Sequence, residues 1–285
     1  MNFKLNNGVE IPDVGLGTWL IDNDKVADVI KNAVSVGYRH IDTAQAYENE
    51  EGVGIGIKSC GVDRKDIFVT SKVRAEYKDY DTAKKSIDES LKKLGLDYID
   101  LMIIHCPQPW NEYKVSDNHY YKENREVWRA LEDAYNEGKL KAIGVSNFYI
   151  DDLKNILESC KIKPMINQIL THVGQTPFET IDFCKNEGIV VEAYSPIAHG
   201  EADRIETVQV MAKKYNKSFA QICIKYCLNL GLVALPKARS IEHLRDNFDL
   251  DFEISDDDME VLKGNKPLSD YGKADFFPVF KQSDK

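Results

Sequence analysis

Long apolar runs and an excess of basic residues are both missing from this sequence. No run approaches the ~20 apolar residues needed to span a bilayer, and the start, MNFKLNNGVEIP, lacks the apolar core of a signal peptide. The formal net charge of −10 at pH 7 argues against a nucleic-acid-binding protein, because phosphate binding needs a basic face. We therefore expect a cytoplasmic location, with neither a membrane nor a nucleic acid as partner.

Cysteine spacings typical of metal or redox sites are missing as well. The six cysteines include no C-x-x-C pair, and in the cytosol they would stay reduced. Cys223 and Cys227 lie four residues apart on a predicted helix, which favours a packing role on its buried face.

The sequence also has no composition break and no Gly/Ser-rich linker, so we expect one domain over residues 1–285. An N-terminal hairpin is predicted to turn at Asn7-Gly8. Amphipathic helices then alternate with short β-rich runs, which lie near 13–17, 38–42, 67–71, 99–104, 142–146, 165–169, 189–194 and 232–236. This alternation predicts a parallel α/β domain, either a closed barrel or an open doubly wound sheet.

The dinucleotide-binding fingerprint of an open sheet is lacking. GVGIGIK at 52–58 has similar glycines but follows the polar YENEE, whereas a phosphate-binding turn needs a strand, glycines and a helix in that order. We interpret these glycines as close-packing positions within a helix. The sequence therefore favours an α/β fold of the (β/α)₈ TIM barrel type, with the N-terminal β-hairpin at the bottom of the barrel.

Residues typical of helix termini lie at the ends of the predicted helices. Asp81 is the predicted N-cap of the helix that ends at Gly95. Ser218 with Gln221 three residues later predicts a capping box at the start of another helix.

Polar residues follow nearly every predicted strand. In a TIM barrel the chemistry takes place at the C-terminal ends of the strands. Seven of the eight predicted strands end in a group able to hydrogen bond or ionise, namely Asp42, Lys72, His105, Ser146 with Asn147, Gln168, Tyr194 and Lys237. Solvation alone does not explain so many such groups on one rim.

Three of these strand ends form a chemical set with Tyr47. Asp42 and Lys72 end consecutive strands, about 4.8 Å apart in a sheet, so their charges would pair. Tyr47 follows Asp42 by five residues, and a nearby lysine cation would lower its pKa from about 10. Such a phenol can protonate a carbonyl oxygen or deprotonate an alcohol, and His105 could orient that oxygen. Each residue alone has an ordinary structural explanation, but the set favours function.

Blocks of this sequence resemble the aldo-keto reductases, especially bacterial-type aldehyde/ketone and diketogluconate reductase-like members. The blocks are GYRHIDTAQAYENEEGVG, FVTSKV at 68–73, LDYIDLMIIHCP at 96–107, AIGVSNF, INQI, EAYSP and LPKARSIEHLRDN, which span almost the whole chain in the family order. The resemblance implies NAD(P)H-dependent reduction of aldehydes and ketones to alcohols. It implies that Tyr47 is the general acid, Lys72 lowers its pKa, and Asp42 holds Lys72. His105 would orient the substrate.

The resemblance also implies a nicotinamide dinucleotide that extends across the barrel mouth. Ser146, Asn147 and Gln168 would hold its carboxamide, and Tyr194 would stack on its nicotinamide ring. The full set of implied cofactor-binding residues is Thr18, Ser146, Asn147, Gln168, Tyr194, Ser195, Lys237, Ala238, Arg239, Ser240, His243, Asp246 and Asn247.

The phosphate-binding loop departs from the family pattern. Lys237 is present, but Ala238 and His243 replace the serine and arginine that NADPH-preferring relatives usually carry. Arg239 and Arg245 lie nearby and could supply the charge that a 2′-phosphate requires. We therefore favour NADPH as the cofactor and keep NADH as an alternative.

The substrate pocket departs from the pattern at two further positions. Cys106 replaces the usual tryptophan after the catalytic histidine, and Arg74 replaces a frequent aromatic residue. We expect both to contribute to the pocket with Trp19 and Trp110. The aromatic-rich stretch GKADFFPVF (272–280) is the expected third wall, and the short SPIAHGEADRI predicts limited closure over the cofactor.

Two alternatives remain open. The family fold also serves regulatory or structural cofactor-binding proteins, although a pure binder does not need the four catalytic residues. A metal-dependent barrel hydrolase needs an early H-x-H pair and further ligands, whereas His40 is followed by Asp42 and the other histidines are scattered. We therefore expect a small carbonyl or alcohol substrate, no metal and no obligate protein partner.

Overall fold

A closed barrel of eight parallel strands forms the centre of the protein. The computed structural model describes residues 2–280. In the sheet the strands follow one another in chain order as β3 (Leu16–Gly17), β4 (His40–Asp42), β5 (Phe68–Val73), β6 (Ile99–Ile104), β7 (Leu140–Ser146), β8 (Ile166–Leu170), β9 (Val190–Tyr194) and β10 (Val233–Leu235). Val14 bridges to Ala234 of β10 in parallel and so joins the two edge strands. The predicted (β/α)₈ barrel is confirmed.

Amphipathic helices surround the barrel and bury their apolar faces against it. In α4, for example, Val127, Trp128 and Leu131 are buried. The described helices are α1 (Val26–Val36), α2 (Glu50–Ser59), α3 (Tyr80–Leu94), α4 (Tyr121–Asn136), α5 (Ile150–Leu157), α6 (Phe178–Asn186), α7 (Glu206–Tyr215), α8 (Phe219–Asn229), α9 (Ile241–Phe248) and α10 (Asp256–Lys263). Within residues 2–280, none of them combines the length and the apolar character of a bilayer-crossing segment.

The N-terminal hairpin covers the bottom of the barrel, as predicted. Strand β1 (Asn2–Lys4) pairs antiparallel with β2 (Glu10–Pro12). The side chain of Asn6 donates to the carbonyl oxygen of Pro164 at 2.9 Å, and that of Asn7 donates to Lys141 O at 2.9 Å. Because these partners lie at the starts of barrel strands, the hairpin lies at the end of the barrel opposite to the expected site.

The glycines of GVGIGIK lie within α2 and allow close packing, which confirms their interpretation. A Cβ atom on Gly52 would lie 2.1 Å from Asn23 O, and one on Gly54 would lie 2.0 Å from Leu94 O. Both distances are far below van der Waals contact, so α2 can approach its neighbours only where it has no side chain.

One helix start differs from its prediction. Asp79, not Asp81, is the N-cap of α3: its backbone is extended and its carboxylate accepts from Thr82 N at 2.8 Å. Asp81 lies in the first turn, where the helix dipole favours a negative charge. The capping box of Ser218 and Gln221 is confirmed at the start of α8.

Candidate active site

The four predicted catalytic residues lie at the C-terminal end of the barrel. Asp42 ends β4, and Tyr47 follows in a 3₁₀ turn at Gln45–Tyr47. Lys72 lies near the end of β5, and His105 follows β6 directly. Since neighbouring parallel strands end at the same edge of a sheet, the fold brings together residues that are far apart in the sequence.

Asp42 and Lys72 form a buried ion pair. The Lys72 Nζ atom lies 2.6 Å from Asp42 Oδ1 and donates to Thr43 O at 2.8 Å. The Lys72 side chain is 0% exposed. Burial alone lowers the pKa of Lys72, but the Asp42 carboxylate and then the Tyr47 phenol raise it, and the resulting pKa lies above the ordinary value. Lys72 is therefore a permanent cation beneath the site.

Tyr47 faces this cation, yet its pKa differs from our prediction. Lys72 Nζ lies 4.8 Å from the centre of the Tyr47 ring. Burial of the phenol raises the pKa of Tyr47, the positive charge of Lys72 lowers it, and burial outweighs Lys72. The predicted lowering by Lys72 is present, but the net shift in the pKa of Tyr47 is upward, because the sequence pattern shows the charges but not the desolvation. Tyr47 is therefore protonated at neutral pH.

His105 is a neutral imidazole. Burial, together with the charges of Lys72 and Arg74, holds the pKa of His105 well below its usual range. Its ring makes edge contacts with Tyr47, at 5.7 Å between ring centres, and with Trp110, at 5.2 Å. A neutral imidazole can donate one N–H hydrogen bond to an oxygen in the site.

A cavity of about 260 Å³ opens above these residues. Aromatic rings form one side of it: Phe277 packs on Trp110 at 4.7 Å and on Trp19 at 5.3 Å between ring centres. The C-terminal aromatic segment thus lies where a third wall was predicted. Among the predicted site residues, those that line the cavity are Trp19, Asp42, Tyr47, His105, Trp110, Ser146, Asn147, Gln168, Tyr194, Ser195 and Lys237.

Besides Lys72 and the residues around α9, three predicted site residues lie outside the cavity lining in the described part of the chain. Thr18 is buried and donates to Asp42 O at 2.9 Å. Cys106 is fully buried. Arg74 donates to Gln45 O at 3.2 Å and pairs with Glu48 at 3.3 Å, so its charge is directed away from the cavity.

Apart from Lys237, which lines the cavity, the predicted phosphate-binding residues lie around the start of α9. Ser240 caps this helix and accepts from His243 N at 3.3 Å. Arg239 is exposed and its guanidinium donates to Leu20 O. Burial and the charge of Arg239 lower the pKa of Lys237, which shows two cations close together. The remaining members of this group are Ala238, which is buried, Asp246, which is half-buried, and Asn247, which is buried.

Sequence reasoning missed Glu192, a fully buried residue of β9. Its Oε2 atom accepts a hydrogen bond from Gln168 Nε2 at 2.9 Å, and the same nitrogen donates to Asp42 Oδ2 at 2.8 Å. Burial, and next the charge of Asp42, raise the pKa of Glu192 to about 8. The signal was a carboxylate inside the otherwise apolar strand VVEAY.

Comparison with known proteins identifies the family. Residues 13–265 match the sequence profile of the Aldo/keto reductase family. The chain belongs to this family. As an aldo-keto reductase it is an NAD(P)H-dependent oxidoreductase.

This aldo-keto reductase has similar relatives over nearly its whole length. It is 43% identical to a glyoxal reductase of Bacillus subtilis (strain 168) over 261 residues, which cover 91% of this chain and 90% of the relative. It is 37% identical to a methylglyoxal reductase of Escherichia coli (strain K12) over 264 residues, with 91% and 92% covered.

Solved structures share the fold of this aldo-keto reductase. A Bombyx mori aldo-keto reductase in complex with NADP is 32% identical, with a TM-score of 0.85 and 99% of each chain covered. An aldo/keto reductase from Brucella melitensis is 37% identical, also with a TM-score of 0.85, and covers 92% of this chain and 98% of its own.

The residues of the cavity fit a nicotinamide cofactor. Ser146, Asn147 and Gln168 supply hydrogen-bonding groups at the cavity floor beside the Tyr194 ring. The Tyr194 hydroxyl donates to Asn147 Oδ1 at 2.6 Å, which fixes the position of both side chains. Lys237 adds a positively charged side chain to the lining of the cavity.

Proposed function

We propose that this protein reduces small aldehydes and ketones to alcohols with NADPH, and that Tyr47 is the general acid. The observation that carries the proposal is a protonated phenol at a cavity floor, next to a buried lysine cation and a neutral imidazole. This arrangement can supply one proton to a carbonyl oxygen that enters the cavity.

The proton transfer follows from the charges. His105 donates an N–H hydrogen bond to the carbonyl oxygen and holds it near the Tyr47 hydroxyl. Tyr47 then gives its proton to that oxygen as negative charge develops on it. The Lys72 cation stabilises the phenolate that remains, and Asp42 keeps Lys72 in place through the 2.6 Å ion pair. Because burial raises the pKa of Tyr47, the site is in the correct state for reduction before the substrate binds.

The cofactor-binding roles are part of the same proposal. Bound NADPH supplies the hydride that adds to the carbonyl carbon. Ser146, Asn147 and Gln168 hold its carboxamide, and the Tyr194 ring covers one face of the nicotinamide, so that only the other face meets the substrate. Lys237 and Arg239 bind the phosphate groups near the start of α9, with Ser240, Asp246 and Asn247 at the ribose and adenine.

NADPH is the proposed cofactor because two cations lie close together at this place. A 2′-phosphate prefers a permanent charge with several donors, as the Arg239 guanidinium has. The Bombyx mori relative with NADP bound supports the same choice. His243 lacks the fork of an arginine, so we expect NADH to be used less well but measurably.

The proposed substrates are small carbonyl compounds, including dicarbonyls. The relatives named glyoxal reductase and methylglyoxal reductase support this class. The aromatic wall of Trp19, Trp110 and Phe277 also limits the size of the cavity, which measures about 260 Å³ before the nicotinamide takes its share.

The test combines a substrate panel with one variant. Glyoxal, methylglyoxal and a simple aldehyde are supplied with NADPH and with NADH, and cofactor oxidation is followed by absorbance. Tyr47→Phe should lower turnover by about 10²–10⁴-fold, the usual contribution of a positioned acid, while the Kd for NADPH stays unchanged.

The matched control is Tyr113→Phe. Tyr113 is a buried tyrosine whose ring lies 5.8 Å from that of Trp110, so the variant removes a phenol hydroxyl close to the site but outside it. Parental turnover in Tyr47→Phe, or an equal loss in both variants, would show that Tyr47 is not the acid.

A further inference from the structure

A second buried carboxyl group lies inside the barrel, beneath the proposed catalytic residues. Glu192 belongs to β9 and its side chain is 0% exposed. The Oε1 atom lies 3.7 Å from Nε2 of His40 on β4, and Oε2 accepts from Gln168 on β8. Strands β9 and β4 are not neighbours in the sheet, so these side chains meet across the barrel interior.

The Gln168 amide connects this carboxyl group to Asp42. Its Nε2 atom donates to Glu192 Oε2 at 2.9 Å and to Asp42 Oδ2 at 2.8 Å. An amide nitrogen carries two hydrogens, and both are therefore directed at carboxyl oxygens. The amide oxygen is left as the group that Gln168 offers to the cavity, which it lines.

We propose that Glu192 is a positioning residue that fixes the orientation of the Gln168 amide. With its nitrogen held by Glu192 and Asp42, Gln168 presents its oxygen to the cavity and accepts a hydrogen bond from the NH₂ group of the cofactor carboxamide. This inference rests on the proposed function, because it requires a nicotinamide cofactor. It adds a residue that touches neither the substrate nor the cofactor.

The surroundings of Glu192 explain how a second acid is tolerated there. The ionisable groups that face it are His40 and Asp42 from β4 and Lys72 from β5. Burial, and next the charge of Lys72, lower the pKa of His40 to about 3, so His40 is neutral. Burial and Asp42 raise the pKa of Glu192 to about 8. At neutral pH Glu192 is therefore uncharged, and Oε2 still accepts from Gln168.

The experiment measures cofactor binding rather than turnover. NADP⁺ and its 3-acetylpyridine analogue, in which an acetyl group replaces the carboxamide and lacks NH₂, are titrated against protein fluorescence. Trp19 and Trp110 line the cavity and report binding. One hydrogen bond corresponds to about fivefold in Kd, so the parent protein should bind NADP⁺ about fivefold more tightly than the analogue.

Variants of Glu192 then separate positioning from general stability. In Glu192→Ala the Gln168 nitrogen keeps only Asp42 as an acceptor, so its orientation is less well fixed and the fivefold preference for NADP⁺ should decrease. Glu192→Gln retains an acceptor and should retain the preference. Glu192→Met fills the space of the side chain but offers no acceptor. It replaces Glu192→Ala in the experiment if the alanine variant does not fold, and the same result is expected.

Glu50→Gln and Glu50→Ala are the matched controls. Glu50 is also a buried glutamate whose pKa burial raises, but it accepts a hydrogen bond from Ser71 at 2.6 Å and does not line the cavity. Both variants should keep the parental preference. An unchanged preference in Glu192→Ala and Glu192→Met would overturn the inference. Failure of the parent to bind either dinucleotide would instead overturn the proposed function on which it rests.

The pH dependence gives an independent readout. As the pH rises through about 8, Glu192 gains a negative charge beside Asp42 and competes for the Lys72 cation that stabilises the Tyr47 phenolate. Turnover of the parent should therefore fall above this pH. Glu192→Gln should keep its turnover to higher pH, and a decline at the same pH in both proteins would contradict the proposed role.

Discussion

Removal of the Lys72 charge separates the structural from the catalytic part of the ion pair. Lys72→Met keeps a similar side-chain volume but leaves Asp42 charged, with the Gln168 amide at 2.8 Å as a remaining donor. Loss of one partner of a buried pair lowers the free energy of unfolding by about 3–5 kcal/mol. Lys72 is 0% exposed, so we expect a value in this range. Turnover should also be lost, because the phenolate of Tyr47 would have no cation beside it.

A double variant tests this reasoning. Asp42→Asn combined with Lys72→Met removes both charges, and replacement of a whole buried pair by neutral groups is often neutral or stabilising. The double variant should therefore recover most of the lost stability while turnover stays absent. Lys263→Met is the control, since Lys263 pairs with Glu260 at 2.7 Å on the surface of α10 and such pairs contribute about 0–1 kcal/mol.

Urea unfolding at pH 7, followed by tryptophan fluorescence, measures stability, and cofactor oxidation measures turnover. A double variant as unstable as Lys72→Met would refute the view that an unpaired Asp42 charge causes the loss. Substantial turnover in Lys72→Met would refute the role of the cation in stabilising the phenolate.

Three further perturbations test other parts of the structure. Gly54→Ala places a Cβ atom 2.0 Å from the carbonyl oxygen of Leu94 and should lower the free energy of unfolding by about 1–3 kcal/mol, measured by urea unfolding. Since the folded-state pKa of Glu192 is raised from 4.5 to about 8, its contribution to stability is fully present below pH 4.5 and is lost as the pH rises through about 8. Urea midpoints between pH 4.5 and 8 should therefore fall for the parent relative to Glu192→Gln. Phe277→Ala removes a wall of the cavity and should raise KM for an aromatic aldehyde several-fold while kcat changes less, which initial-rate kinetics will show.

Much of the fold could be predicted from hydrophobic periodicity and from residues typical of helix ends. The strand runs were predicted within a few residues, and the capping box at Ser218 was predicted correctly because its two residues lie only three positions apart in the sequence. The N-cap of α3 was not, because Asp79 and Asp81 are both suitable residue types and only the extended backbone at Asp79 distinguishes them. The sequence shows which residues are able to cap a helix. Which of two such residues does so depends on the packing of the whole helix.

The parts of the candidate site that were predicted correctly are those in which function depends on the type of residue at the end of a strand. Asp42 and Lys72 were paired correctly because consecutive parallel strands end side by side. The effect of Lys72 on the pKa of Tyr47 was predicted in the right direction, but the larger effect of burial was missed because desolvation depends on atoms from many parts of the chain. Cys106 was expected in the pocket, although side chains of successive extended residues point to opposite sides, so a neighbour of the cavity-lining His105 could have been predicted to point away.

Glu192 was missed for a different reason. Its partners His40, Asp42 and Gln168 lie on other strands, and two of them face it across the barrel. No residue spacing in the sequence predicts contacts between these side chains, since the contacts depend on closure of the barrel. A carboxylate in an apolar strand is nevertheless a reason to search for a partner.

One member of the aromatic wall, Phe277, lies outside the part of the sequence that forms the barrel. Phe277 and Phe280 follow α10, whereas the last barrel strand ends at Leu235. The segment that completes the aromatic wall therefore follows all the barrel strands and all four proposed catalytic residues in the sequence. Changes at Phe277 can alter which carbonyl compounds fit, whereas Ala274, Val279 and Phe280 of the same stretch are buried in the hydrophobic core. Selection for new substrates can thus act on a stretch of the gene that encodes none of the barrel strands.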